Sequence, residues 1–223
     1  MKHGLLKQAL AKFTAGLLLV GLLIFAPAGT LDYWQGWLLM GILFVPMFCA
    51  GLLMLKKNPE LLEKRLHAKE SESEQRTVIL GSGLMFLAAF ILAGLNRRFL
   101  WCLLPGWVSW AAAAVFLLGY GLYAEVLREN AYLSRTIEVQ EGQRLIDTGL
   151  YGLVRHPMYL CTLLLFFSMP LVLGSPFSFA VMLAYLPLIV KRIRNEEQVL
   201  AEGLPGYQEY QKRVKSRLLP GIW

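Results

Sequence analysis

Charge is scarce in this chain: 17% of its 223 residues are Asp, Glu, Lys or Arg, against ~25% in soluble domains. With 57% hydrophobic residues and a mean hydropathy of +0.51, that shortage argues against an ordinary soluble enzyme and for a protein embedded in a bilayer. Cysteine is equally thin. Cys49, Cys102 and Cys161 are odd in number, far apart, and set in or beside apolar runs. They have neither zinc spacing nor a disulfide framework and are expected to be small buried hydrophobes. No Rossmann glycine pattern is present. No charges lie in mid-span, which disfavours a transporter. No internal repeat or low-complexity tract is visible.

The chain opens with Lys2, Lys7 and Lys12 ahead of an apolar run ending in Ala26-Pro27-Ala28. That is also the outline of a secretory signal, but no soluble domain follows, so the segment is read as a first membrane helix. This first span runs from Phe13 to about Leu31 and the second from Tyr33 to Leu55. Tyr33, Trp34 and Trp37 open the second span, where amphipathic rings favour the membrane–water interface. Lys56 to Arg76 is a hydrophilic loop in which Leu61, Leu62 and Leu66 are spaced for a short amphipathic helix. Thr77 to Asn96 is the third span. Arg97 and Arg98 then introduce Trp101, Trp107 and Trp110 before a fourth span from about Val108 to Leu127.

A second polar loop, Arg128 to His156, holds Tyr132, Ser134 and Arg135. Met158 to Leu173 is a fifth apolar run, interrupted by Pro170, and Gly174-Ser175-Pro176 is a sharp turn. The sixth run, Phe177 to Val190, reaches only ~21 Å as a helix, short of a ~30 Å hydrocarbon core. The last two runs are therefore expected to form a compact helical hairpin. The sixth should continue into water as one helix through Glu197, ended by Gly203 and Pro205. A shorter amphipathic helix follows over Tyr207 to Val214. The expected fold is all-α: a polytopic integral membrane bundle of about six apolar helices. Residues 1–127 form the N-terminal spans and residues 128–223 the region that carries the chemistry.

Orientation follows from the basic residues. Three precede the first run, six lie in 56–76, four in 128–155 and seven from Lys191 onward, 20 of the 22. Only Arg97 and Arg98 fall on the other side. The positive-inside rule then places both termini, and both informative polar segments, in the cytoplasm. The net charge of +7 is explained by this topology and by anionic lipid, with no nucleic-acid partner.

The stretch Gln143 to Tyr159 is the one long polar segment rich in Gly, Arg and Tyr that flows straight into an apolar run. Within it, proline disfavours helical geometry at His156 and suits the first turn of the helix after it. His156 thus stands at a helix entrance with Tyr159 one turn on. A ligand contact and a plain helix start with a solvated His are both open at this point. Arg155 suits a lipid phosphate, and Asp147-Thr148-Gly149 before Tyr151 reads as a tight turn. Downstream, Arg192 and Glu196 are four apart and share a helix face, whereas Glu197 points about 100° away. An Arg there could hold a carboxylate bidentately, and a Glu a cationic group. Tyr207 and Tyr210 are expected to pack at the membrane interface.

The order Gly-x-Tyr-x-x-Val-Arg-His-Pro-x-Tyr (150s), a hairpin, Arg-x-x-x-Glu-Glu-x-x-Leu, then Tyr-x-x-Tyr resembles the isoprenylcysteine carboxyl methyltransferase family and the related phospholipid methyltransferases. The resemblance covers roughly Gln140 to Pro220 and implies an integral membrane enzyme using S-adenosylmethionine. It implies cofactor contacts at Gln140, Gln143, Arg144, Leu145, Ile146, Tyr151, His156, Pro157, Met158 and Tyr159, with Glu196 at the amino-acid end. It departs at Gln143, where family members often have His. Arg192 would hold the carboxylate of a lipophilic, isoprenylcysteine-like acceptor entering from the bilayer. Phospholipid headgroup N-methylation and an NADPH-dependent reductase of the membrane sterol type are the alternatives. No metal is implied.

Overall fold

The computed structural model describes residues 2–57, 59–67, 73–130, 132–133 and 137–223. Among them the chain forms nine α-helices: α1 Lys2–Ala28, α2 Trp34–Lys57, α3 Pro59–His67, α4 Ser73–Phe99 and α5 Gly106–Glu129, then α6 Pro157–Val172, α7 Pro176–Met182, α8 Tyr185–Gly203 and α9 Tyr207–Arg213. A short 3-10 turn occupies Gly149–Gly152. Among the described residues, five segments are long and apolar enough to cross a membrane: 4–28, 34–57, 80–99, 106–129 and 176–203, with α6 a shorter apolar helix. Ser134 and Arg135 of the second polar loop lie outside the described residues, as does the side chain of Leu61.

The bundle is inside-out relative to a soluble protein. Leu18, Leu22, Val45, Leu84 and Leu118 are exposed on its outer surface, the arrangement expected of an integral membrane protein whose flanks meet lipid rather than water. Cys49 and Cys102 are on that surface too, and of the three cysteines only Cys161 is buried. Trp34, Trp37, Trp101, Trp107 and Trp110 are exposed, and Trp34 stacks on Trp110 with ring centroids 5.7 Å apart. Tyr33 departs from that belt. It is buried, and its hydroxyl donates to the Leu173 carbonyl at 2.6 Å.

The inner contacts are close where side chains vanish. A Cβ on Gly94 of α4 would stand 2.6 Å from the Ile24 carbonyl oxygen and 2.9 Å from Pro27 Cβ of α1. Glycine lets the two backbones approach, as small residues do in membrane helix pairs. Gly94→Ala should therefore destabilise the detergent-solubilised protein by about 1–3 kcal/mol, the usual penalty of overpacking. A thermal midpoint equal to wild type would refute that close approach.

The sixth apolar run is not one helix. It breaks at Leu183–Ala184 into α7 and α8. The cause is Pro187, which lacks an N–H for the Leu183 carbonyl and crowds it. That carbonyl instead accepts from Leu186 N at 3.0 Å. From Tyr185, α8 then runs unbroken to Gly203. Its buried residues are Tyr185, Ile189, Ile193 and Glu197, one stripe at four-residue spacing. α6 packs chiefly on α5, and α7 on α4, so the hairpin rests on the N-terminal spans. Alternation of the spans brings the start of α6, the end of α8, and α9 to one end of the bundle.

Candidate active site

The cleft at that end is built from the loop after α5. Gly149, at φ +56, turns the chain where a Cβ would collide with the Glu129 carboxylate. That carboxylate, from the last turn of α5, accepts the Leu150 amide at 3.0 Å. The 3-10 turn then buries Tyr151, whose hydroxyl receives a hydrogen bond from Asn130 Nδ2 at 2.9 Å. Burial pushes the Tyr151 phenol up to about 12, so it stays neutral. His156 adopts φ −125, ψ 61 and caps α6, with Pro157 in the first turn. The sequence specifies this locally, since a residue before proline avoids the helical region and proline suits a helix start.

Three elements close over the loop. The Tyr210 hydroxyl of α9 donates to the Tyr151 carbonyl at 2.7 Å, and Arg213 pairs with Asp147. Beyond α9, Ser216 and Arg217 run beside Arg155 and His156, their carbonyls accepting those two amides at 3.0 and 2.9 Å. From α8, Glu197 projects into the seam. Its Oε1 lies 2.7 Å from Arg155 Nε and 3.3 Å from His156 Nε2, and its Oε2 lies 2.8 Å from Arg217 Nε. A carboxylate only accepts, so the contact with the imidazole places its proton on Nε2. Arg155 completes its hydrogen bonding on the Val214 and Lys215 carbonyls. It is buried and so is not a lipid-phosphate contact; His156, also buried, is not solvated.

One face away along α8, a second polar chain lines the cleft. Arg192 Nε donates to the Tyr159 hydroxyl at 2.9 Å, and that hydroxyl donates to Glu196 Oε2 at 2.5 Å. Tyr159, buried on α6, thus ties together the two charged residues that sit four apart on α8.

Gln143, Arg144, Leu145, Ile146, Tyr151, His156, Pro157, Met158, Tyr159, Arg192 and Glu196 all line this single cleft. Gln140 does not. Its side chain donates to the Tyr132 carbonyl at 2.6 Å, and its amide donates to Gln143 Oε1 at 2.9 Å, so it shapes the loop. The wall also contains Asn130, Leu200, Leu204, Tyr207 and Tyr210, which the sequence reading left out. Tyr207 and Tyr210 are buried rather than packed at a membrane interface. They cluster with Leu204 and Val214 against Val139, Leu145 and Leu200, and their three-residue spacing on one helix face was the available signal. The result is a mostly apolar and aromatic cleft with a few convergent polar groups, the usual make-up of a small-molecule site.

The profile of the phospholipid methyltransferase family matches residues 107–205, from the start of α5 to just past α8. The backbone superposes on a solved eukaryotic intramembrane Ras methyltransferase, isoprenylcysteine carboxyl methyltransferase. The TM-score is 0.63 at 22% identity, covering 96% of this chain and 77% of that one. Its fold is that of a membrane methyltransferase. Parts of the chain are also similar to curated proteins with other names. A Delta(14)-sterol reductase of Mus musculus is 36% identical over 91 residues, 40% of this chain and 22% of that protein. The cobalt-zinc-cadmium resistance protein CzcN of Cupriavidus metallidurans is 32% identical over 109 residues, 48% of this chain and 49% of that protein. The chain thus spans from about a fifth to half of the length of these curated relatives. In this methyltransferase fold, the matched region includes the whole cleft except its α9 wall and the strap beyond.

Proposed function

We propose that the protein is an integral membrane S-adenosylmethionine-dependent methyltransferase that methylates the carboxylate of a lipophilic acceptor, as an isoprenylcysteine is methylated. The observation that carries this reading is the Arg192–Tyr159–Glu196 chain on the cleft wall, inside a region matching a methyltransferase family. Residues 128–223 would carry the catalysis and residues 1–127 the membrane scaffold, with both termini in the cytoplasm.

The residues present fit the cofactor. Glu196 offers a carboxylate for an ammonium group, while Leu145, Ile146, Met158 and Tyr151 offer apolar and aromatic surface for a purine. Gln143, Arg144, His156 and Pro157 complete the contacts, with Gln140 setting the loop. When bound, the cofactor supplies a methyl group already activated on a sulfonium. The chain then has to align a nucleophile and exclude water, which are effects of orientation and desolvation. A carboxylate nucleophile is ionised at neutral pH, so Arg192 is needed as a positioner and not as a base. The acceptor is a lipophilic small molecule or lipidated substrate that reaches the cleft from the bilayer.

Phospholipid headgroup N-methylation is a second reading, favoured by the family profile itself. Reduction with NADPH is a third, favoured by the 36% identity to a sterol reductase. Titrating the purified protein with S-adenosylhomocysteine and, separately, with NADPH separates the donor classes. Stabilisation by S-adenosylhomocysteine is expected, and by ~3 kcal/mol at a hundredfold excess over Kd. Glu196→Ala and His156→Ala should weaken that stabilisation. A response to NADPH alone would overturn the methyltransferase reading.

A further inference from the structure

Five tyrosines line the cleft, and four have their hydroxyls engaged. Tyr132 donates to the Gly142 carbonyl at 3.1 Å, Tyr159 to Glu196, and Tyr210 to the Tyr151 carbonyl, while Tyr151 accepts from Asn130. Tyr207 differs. Only 3% of it is exposed, and its buried hydroxyl meets no hydrogen-bond partner among the described residues. A hydroxyl taken out of water with nothing to bond costs stability unless something restores the bond. Nothing in its packing demands the oxygen: the ring rests on Tyr210, centroids 5.7 Å apart, in an apolar cluster with Leu204 and Val214 against Val139, Leu145, Leu200 and Ala201. A phenylalanine would fill that space as well.

The neighbours define what the hydroxyl can meet. Burial, then the charges of Glu197 and Glu196, push the Tyr207 phenol well above its ordinary range. It therefore remains a neutral donor that seeks an acceptor. Both carboxylates that act on it are on α8, and Glu197 is already engaged by Arg155, His156 and Arg217. Glu196 is the group proposed above for a ligand ammonium. An α-amino acid carries its carboxylate two bonds from that ammonium nitrogen, so an acceptor oxygen would arrive beside it.

We propose that the Tyr207 hydroxyl is a ligand-binding group of this cleft, donating a hydrogen bond to the carboxylate at the amino-acid end of the methyl donor. The proposal rests on the S-adenosylmethionine reading and adds to it a residue outside the region matched by the family profile. It also assigns α9 the task of closing the polar end of the cofactor site.

The test is calorimetric titration of detergent-solubilised wild type and Tyr207→Phe with two ligands. S-adenosylhomocysteine carries the amino-acid end, whereas 5′-methylthioadenosine has the same nucleoside and thioether without it. The variant should bind S-adenosylhomocysteine about tenfold more weakly, the effect of one hydrogen bond to a charged acceptor. Its affinity for 5′-methylthioadenosine should be unchanged, and its ligand-free thermal midpoint equal to or above wild type. Unchanged affinity for S-adenosylhomocysteine would overturn the proposal. Equal losses with both ligands, or a lower ligand-free midpoint, would instead mark a packing role and overturn it as well. A wild type that binds NADPH and neither nucleoside would sink the methyl-donor reading and this assignment together. Binding of S-adenosylhomocysteine by a wild type whose phenylalanine variant binds equally would sink only the assignment.

Discussion

Glu197→Ala is expected to be the most damaging single change at the cleft, lowering stability by about 3–5 kcal/mol and abolishing measurable cofactor binding. Removing the carboxylate leaves Arg155, only 6% exposed at its side chain, without its counter-charge. Arg217 and His156 lose the same partner. A buried cation stripped of its anion is far more costly than the pair was worth. Binding fails for a further reason: Glu197 fixes the ring of His156 on one side of the cleft and, through Arg217, the strap that receives the Arg155 and His156 amides. Glu197→Gln keeps the shape and one acceptor oxygen, so it should lose less stability than the alanine variant. Thermal unfolding in detergent, with and without S-adenosylhomocysteine, reads both. An alanine variant within ~0.5 kcal/mol of wild type, the range of an ordinary surface substitution, would show that the seam is not held by this residue.

The second large effect concerns turnover. Arg192→Ala should cut methyl transfer to extracted lipid acceptors by about a hundredfold or more while changing S-adenosylhomocysteine affinity little. Positioning accounts for this, because misplacing a reacting group by an ångström can cost ~100-fold. The Arg192 guanidinium is oriented by the bond from its Nε to the Tyr159 hydroxyl. Arg192→Lys should recover little, since an ammonium has no planar fork to match a carboxylate. Tyr159→Phe, which removes the bridge between Arg192 and Glu196, should fall between wild type and Arg192→Ala in rate. Transfer of labelled methyl from the donor into total lipid measures all three. A rate in Arg192→Ala equal to wild type would remove Arg192 from the reaction.

Much of the architecture was legible because it follows from local pattern. Long uncharged runs can satisfy their backbone groups in a bilayer only as helices, so the spans and their order could be read directly. His156-Pro157 marked the start of α6, and Arg192 with Glu196 shared a face by spacing alone. The break at Leu183–Ala184 is also written in the chain, at Pro187, but its effect appears four residues earlier. Glu197 was missed for a different reason. The spacing placed it off the Arg192–Glu196 face, correctly, yet it continues the buried stripe of Tyr185, Ile189 and Ile193.

What the sequence by itself determined is the helical membrane bundle, the polar segments at its ends, and most of the residues that line the cleft. Hydrophobic run length, proline position and side-chain spacing act within one helix or loop and need no partner. Only the tertiary structure decided which of those residues meet. It turned Gln140 away into the loop and Arg155 inward to Glu197. It also brought Tyr207 and Tyr210 over the cleft from beyond the last span. The contacts of Gln140 are local, but Arg155–Glu197 and Tyr210–Tyr151 join residues about 40 to 60 positions apart, and no local propensity encodes them. They arise because a buried charge needs a counter-charge and a buried polar group a partner, and only the packed chain shows where those partners are.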